Sequence, residues 1–327
     1  MKKKILTLLA IVLTLVGGIT VVVLLGNDYR ITEERLTIDL PGRSLDAVLA
    51  RPRDSDPTGL VVMVHGDGPV EATHDGLYRP WFEAAADAGF ATLSWTKPGN
   101  WLSQTMDDRA HEVEAAIDWA RARPDIPTRA LVLWGASQAG WVLPKVAAAR
   151  NDLTGIVAVS PAINWLRQGR FNLLAELRES GATPEDQNRA VAASNQTREL
   201  LTSNADYATY RAHTPDPMDA ARWTFVKLNY RSDATADLTA AATKHLPTLL
   251  MLATHDLNVD TTETATTYQR ILGQSLTTKH FSAAHSMARP IMETSKFTGL
   301  TTATLWPRSL LAPGVLDTYR TTLTTLH

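Results

Sequence analysis

The chain has 327 residues, a formal net charge of −2, 44% hydrophobic residues and no cysteine, which fits an ordinary globular protein with a buried core. Near-neutral charge offers no electrostatic footprint for nucleic acid. The missing thiols exclude disulfides, thiolate metal sites, a cysteine nucleophile and a thioether lipid anchor, so stability must come from packing.

The N-terminus is the strongest compositional break. "MKKK" is followed by Ile5 to Leu25 without a charge, a run long enough to span a bilayer core. It predicts a transmembrane signal-anchor over residues 1–29 and a globular domain over 30–327. The positive-inside rule puts Lys2, Lys3 and Lys4 in the cytoplasm and the domain outside, so the lipid bilayer is one expected partner. Cleavage near Gly26, giving a secreted protein, is the alternative.

Beyond the anchor, "EERLTIDL" and "LDAVLARP" flank Pro41 and Gly42 and read as a β-hairpin. "TGLVVMVHGDGP" is a continuous apolar run closed by glycines, the pattern of a strand buried on both faces. A helix ending at Gly89 and a strand Phe90 to Trp95 follow. "MDDRAHEVEAAIDWARARP" then places Val113, Ala116, Ile117 and Ala120 on one helical face, with acids first, arginines last and Pro124 as the stop. "RALVLWG", an alanine-rich helix and "TGIVAVSPA" continue the alternation. Such order predicts an α/β fold with a mostly parallel sheet and helices on both faces.

After Ala162 the rhythm stops. Residues from 163 to about 244 read as helices, and strands return at Leu246–Asp256 and Ser275–Phe281. The simplest account is a helical cap inserted over the carboxyl edge of the sheet.

Ligands of such sheets sit beyond the carboxyl ends of the strands, and Ser137 follows one of those ends in "LVLWGASQAGWVLP". Gly135 two residues before it and Gly140 three after it let strand, turn and helix fold tightly enough to expose the hydroxyl. The strict G-x-S-x-G pattern would have glycine where this chain has Ala139. A serine needs a histidine to take its proton and a carboxylate to orient that histidine. Asp256 ends the strand "TLLMLATH" and His285 follows the next, giving the order Ser, Asp, His. Asp260 is the substitute acid and His280 the rival base. An oxyanion needs fixed N–H donors; the expected pair is backbone Gln138 and backbone Asp67, with Gly68 the second choice for the latter.

These features, "HGDGP", "GASQAGW", "ATHDLNVD" and "FSAAH", resemble the α/β-hydrolase superfamily across roughly residues 34–293. "SQAGW" followed by Pro144 is similar to its esterase and dienelactone-hydrolase-like branch. Where that branch commonly has an Asp-Lys/Arg-Gly segment, this chain reads "WTKPGNW", so Trp95 stands in place of the acid. The resemblance implies a serine hydrolase, foremost a carboxylesterase, taking a small-molecule acyl substrate and needing no cofactor. Thioesterase, acyltransferase or peptidase activity on the same triad, or a non-catalytic binding protein, stay open.

In the cap, Trp165, Phe171 and Trp223 are the candidate substrate-binding residues. His65 reads as a buried brace of the oxyanion loop. No metal is expected, because His65, His74, His255 and His280 lack ligand-pair spacing and a carboxylate cluster.

Overall fold

The computed structural model describes residues 17–18, 20–40 and 42–326. Eight strands form one sheet in the order β1-β2-β4-β3-β5-β6-β7-β8. They are β1 Ile31–Leu40, β2 Arg43–Pro52, β3 Gly59–Val64, β4 Phe90–Trp95, β5 Ala130–Ala136, β6 Gly155–Val159, β7 Thr248–His255 and β8 Leu276–Ala284. Leu40 pairs with Arg43, closing the predicted hairpin across two residues with Gly42 at φ +79. β2 runs antiparallel to β1 and β4, and every pairing from β4 to β8 is parallel.

Strands β3, β4 and β6 are buried throughout, as continuous Val, Leu and Ala runs require when both faces are covered. One face carries helices α2 Met106–Arg121, α3 Leu143–Ala149 and α9 Thr261–Leu272; the other carries α1 Arg79–Asp87 and α12 Val315–Thr324. Side chains alternate between the two cores along a strand: Leu60, Val62 and Val64 face the first, Val61 and Met63 the second. α2 starts at a capping box in which the Thr105 hydroxyl accepts from Asp108 N–H and the Asp108 carboxylate from Thr105 N–H. Pro144 sits in the first turn of α3, where no N–H is needed, so it costs the helix nothing.

Between β6 and β7 the chain runs through α4 Trp165–Glu179, α5 Pro184–Thr202, α6 Tyr207–His213, α7 Ala220–Asn229 and α8 Thr235–Ala242. Leu201, Tyr210, Trp223 and Val226 form a small core of their own there. The excursion narrows to a neck: Asn164 bridges Asp233, Trp165 N–H donates to Ser232 O and Ala234 N–H to Ile163 O. This corrects the boundary expected near residue 244. α8 lies past the neck, and its Leu238 and Ala241 belong to the main core.

No helix among the described residues is long and apolar enough to cross a membrane. Residues 1–16 and 19, which hold most of the expected span and all three lysines, lie outside them. The described end of that run, residues 20–26, is helical and reaches the body at Gly26. A Cβ on Gly26 would lie 1.9 Å from Leu305 O, so the helix end seats backbone against backbone.

Candidate active site

Register alone brings the site together. Val64 pairs with Gly135, so β3 and β5 release their chains side by side; His255 pairs with Ala284, so β7 and β8 do the same. The first pair of ends delivers Asp67 and Ser137, and the second delivers Asp256 and His285.

Ser137 has φ +54, a left-handed conformation that costs an L-residue energy and persists only where the surroundings impose it. The surroundings are tight. A Cβ on Gly135 would lie 2.8 Å from the Cβ of Ala139, so the extra methyl at 139 fits because 135 has none. A Cβ on Gly140 would lie 2.6 Å from Ala162 O, where the β6 loop crosses the elbow.

His285 Nδ1 lies 3.0 and 2.8 Å from the two carboxylate oxygens of Asp256. Asp256 Oδ1 also accepts from the N–H groups of Asn258 and Val259, each at 2.8 Å, and the carboxylate is buried with 1% of its surface exposed. Four acceptor contacts fix it and orient the ring. His285 itself is the second residue of a tight turn closed by Met287 N–H to Ala284 O, with Met287 at φ +64. The Ser137 hydroxyl makes no hydrogen bond among the described residues, yet Ser137 and His285 line one cavity of about 1020 Å³. Serine–base contacts in unliganded sites commonly close only when substrate binds.

The rivals are occupied elsewhere. Asp260 caps α9, accepting from Thr262 and Glu263 N–H at 3.0 Å each. His280 is exposed on the edge strand and off the cavity wall.

A polar network holds the loop after β3 against the elbow. Gly66 is so close that an added Cβ would stand 3.3 Å from Ser137 Cβ. Asp67 N–H makes no backbone hydrogen bond among the described residues, and Gln138 N–H opens a short helix, where amides lack intrahelical acceptors. Their side chains meet: Gln138 Nε2 donates to Asp67 Oδ1 at 2.9 Å. The Arg222 guanidinium of α7 donates to both Asp67 oxygens, at 2.9 and 2.6 Å. Burial pushes the Asp67 carboxyl up, but Arg222 outweighs it and holds the group below its ordinary value.

Beneath the loop lie two buried basic side chains, Arg109 and Lys97, that are not legible in the sequence. Arg109, on α2, donates to His65 O at 2.6 Å and to Gln138 Oε1. Burial lowers it to about 10 against the attraction of Glu112 and Asp67. Lys97 donates to Gly66 O and stands 4.8 Å from the Trp101 ring centre. Burial and the neighbouring Arg109 bring Lys97 down to about 6. His65 is buried too, and burial together with Lys97 and Arg109 keeps it neutral, well below its ordinary pKa. Its tautomer follows from its partner: Ser94 Oγ donates its one proton to Ala72 O at 2.6 Å, so His65 Nε2 must donate to Ser94 Oγ at 2.8 Å.

Trp95, which displaces the usual acid, does not leave a gap. Its indole N–H donates to Glu112 at 2.8 Å, and Gln104 and Arg43 reach the same carboxylate. A helix residue thereby supplies the negative charge that the strand lacks.

Of the three cap residues predicted to bind substrate, Trp165 lines the cavity and is stacked on Trp141 at 4.9 Å. Phe171 and Trp223 are off the wall. Trp223 faces the cap's own core, stacked 3.9 Å from Tyr210, and Phe171 is half-buried on α4. Among the described residues no cluster of His, Asp and Glu could hold a metal.

No protein-family model matches the sequence, and no curated protein is similar to it. Solved structures do share the architecture. An esterase of Pyrococcus furiosus is 14% identical with a TM-score of 0.54, over 86% of this chain and 92% of its own. A fungal esterase from Rhizomucor miehei is 18% identical with a TM-score of 0.54, over 91% and 83%. The 2,6-dihydroxy-pseudo-oxynicotine hydrolase is 15% identical with a TM-score of 0.53, over 86% and 70%. The fold is that of the α/β-hydrolases, resembling that of esterases.

Proposed function

We propose that this chain, an α/β-hydrolase by fold, is a membrane-anchored serine hydrolase that cleaves carboxylic esters. The observation that carries the reading is that a left-handed serine after β5 and an Asp256-oriented His285 share one cavity. Ser137 Oγ attacks the acyl carbonyl as its proton passes to His285 Nε2; Asp256 stabilises the imidazolium that forms. Backbone Asp67 and Gln138 N–H groups receive the oxyanion. Collapse expels the alkoxide, which takes the proton from His285, and leaves Ser137 acylated. Water, deprotonated by His285, then releases the carboxylic acid and restores the serine. Thioesters, amides and a non-water acceptor would pass through the same steps, since specificity lies in the cavity and cap. The uncharged run Ile5–Leu25 and the lysines before it support a domain held on the outer face of the cell membrane.

Incubating the full chain in detergent with a fluorophosphonate tests the chemistry. One phosphonyl adduct by intact mass is expected, and none in Ser137→Ala. Absence of labelling in a folded wild-type chain would remove the hydrolase reading and favour a binding protein.

A further inference from the structure

Nine of the ten large apolar side chains exposed among the described residues cluster in three segments or on the cavity rim; Leu228 alone lies elsewhere. Val21, Val22, Leu24 and Leu25 are on the N-terminal helix, Ile291, Phe297, Leu300 and Trp306 are on or beside the helices Pro290–Thr294 and Lys296–Leu305, and Leu77 is on the cavity wall. Phe297 is 82% exposed and Leu300 72%, and a group of apolar side chains exposed together marks an interaction surface where single ones would not.

These segments are locked together. Asn27 Nδ2 donates to Thr304 O at 3.0 Å, and Arg308 donates to Gly26 O at 2.7 Å and Asp28 O at 2.6 Å. The same guanidinium grips Glu83 at 2.6 and 2.9 Å and lies 4.2 Å from the Tyr29 ring. The long uncharged run therefore ends on the very helix that shows Phe297 and Leu300 to solvent. That helix is also a wall of the reaction cavity: Lys296, Gly299, Leu300 and Ala303, spaced as one helical face, line it together with Ser137 and His285. At about 1020 Å³ the cavity is just above the range of about 300 to 1,000 Å³ usual for small-molecule sites.

Resting on the ester-hydrolase reading above, we propose that helix Lys296–Leu305 and Ile291 lie in the interface of the bilayer that holds the N-terminal run, so that the cavity mouth faces lipid and the substrate is a membrane-resident, long-chain acyl ester. An ester of this kind reaches Ser137 along an apolar wall without crossing water. The single charge on the helix, Lys296, is at its start, where it can meet lipid phosphate.

The chain has no cysteine, so Phe297→Cys gives a unique attachment point for an NBD label, and Thr239→Cys, an exposed position of α8, is the control. With the full chain in phosphatidylcholine vesicles, emission from position 297 should shift to the blue and be quenched by spin-labelled lipid, while position 239 stays in water. A blue shift without lipid quenching would mean that protein covers the face, either residues 1–16 or a second copy. That result, or emission typical of water, overturns the proposal. For the substrate class, Ile291→Ser/Phe297→Ser should lower turnover of 4-nitrophenyl palmitate in vesicles about tenfold and leave soluble 4-nitrophenyl acetate unchanged. Equal effects on both esters would overturn it. If wild-type protein cleaves neither ester and takes no fluorophosphonate, the hydrolase reading fails, while the label at position 297 still reads the membrane contact by itself.

Discussion

At the scale of single residues, the environment of each carboxylate decides its role. Asp256 is buried and aimed at His285, whereas Asp260, four residues on, caps the start of α9 with its Oδ1. Asp256→Asn should therefore keep the fold and lower kcat by on the order of 10⁴, as expected when the imidazole loses its orienting charge. Asp260→Asn should change thermal stability slightly and kcat little; the reverse ranking in ester turnover would reassign the acid. Lys97 makes a different prediction. In the unfolded chain a lysine holds its proton up to about pH 10.5, but in the fold Lys97 releases it at about 6. Between those values the unfolded state binds more protons, so native stability rises with pH across the window, by at most about 1.4 kcal/mol per pH unit. Lys97→Met should flatten that rise when urea midpoints are compared from pH 6.5 to 9.5; parallel profiles for the two proteins would show that the lysine titrates normally. His65 acts in the same direction at lower pH, since keeping it neutral costs stability as pH falls below 6.5.

At the scale of elements, α7 of the insertion reaches the loop after β3 through Arg222 and Asp67, which are 155 residues apart in sequence. Both side chains are about a third or more exposed, so the pair is worth no more than about 1 kcal/mol of stability. Its influence should instead appear in catalysis. Arg222→Ala should leave the urea midpoint almost unchanged and lower kcat for a soluble ester several-fold, with Arg222→Lys recovering part of the loss. A large stability change with unaltered kcat would make the pair a plain brace. Such long-range pairs were not legible beforehand. The placing of Ser137, Asp256 and His285 at strand ends is legible because each follows an apolar strand run, a local signal. Arg109 reads as one more charge on an amphipathic helix, and only tertiary packing turns it inward to His65 O. α12 is hard to read from the sequence for another reason: its threonines lower helix propensity, and the helix exists because Val315, Tyr319 and Leu323 bury against the sheet. Trp223 and Phe171 failed as cavity residues because aromatic composition does not say which way a helix faces.

At the scale of the whole molecule, the N-terminal helix end is seated on the body without the space for one methyl group at Gly26. Gly26→Val should unseat it, exposing the 26–30 segment to protease while leaving the thermal transition of the sheet domain close to wild type. Unchanged proteolysis would show that Leu305 yields. The neck of the insertion bears on how the molecule can be rebuilt as much as on its present form. Asn164 and Asp233 face each other across one antiparallel bridge, so entry and exit of the excursion are separated by about 5 Å. A stretch with its two ends that close is portable: a short turn could replace it, or another helical segment could be spliced in, with β6, β7 and the loops carrying Ser137, Asp256 and His285 left as they are. Whatever the excursion contributes to recognition can thus be exchanged as one cassette, without disturbing the folding of the sheet.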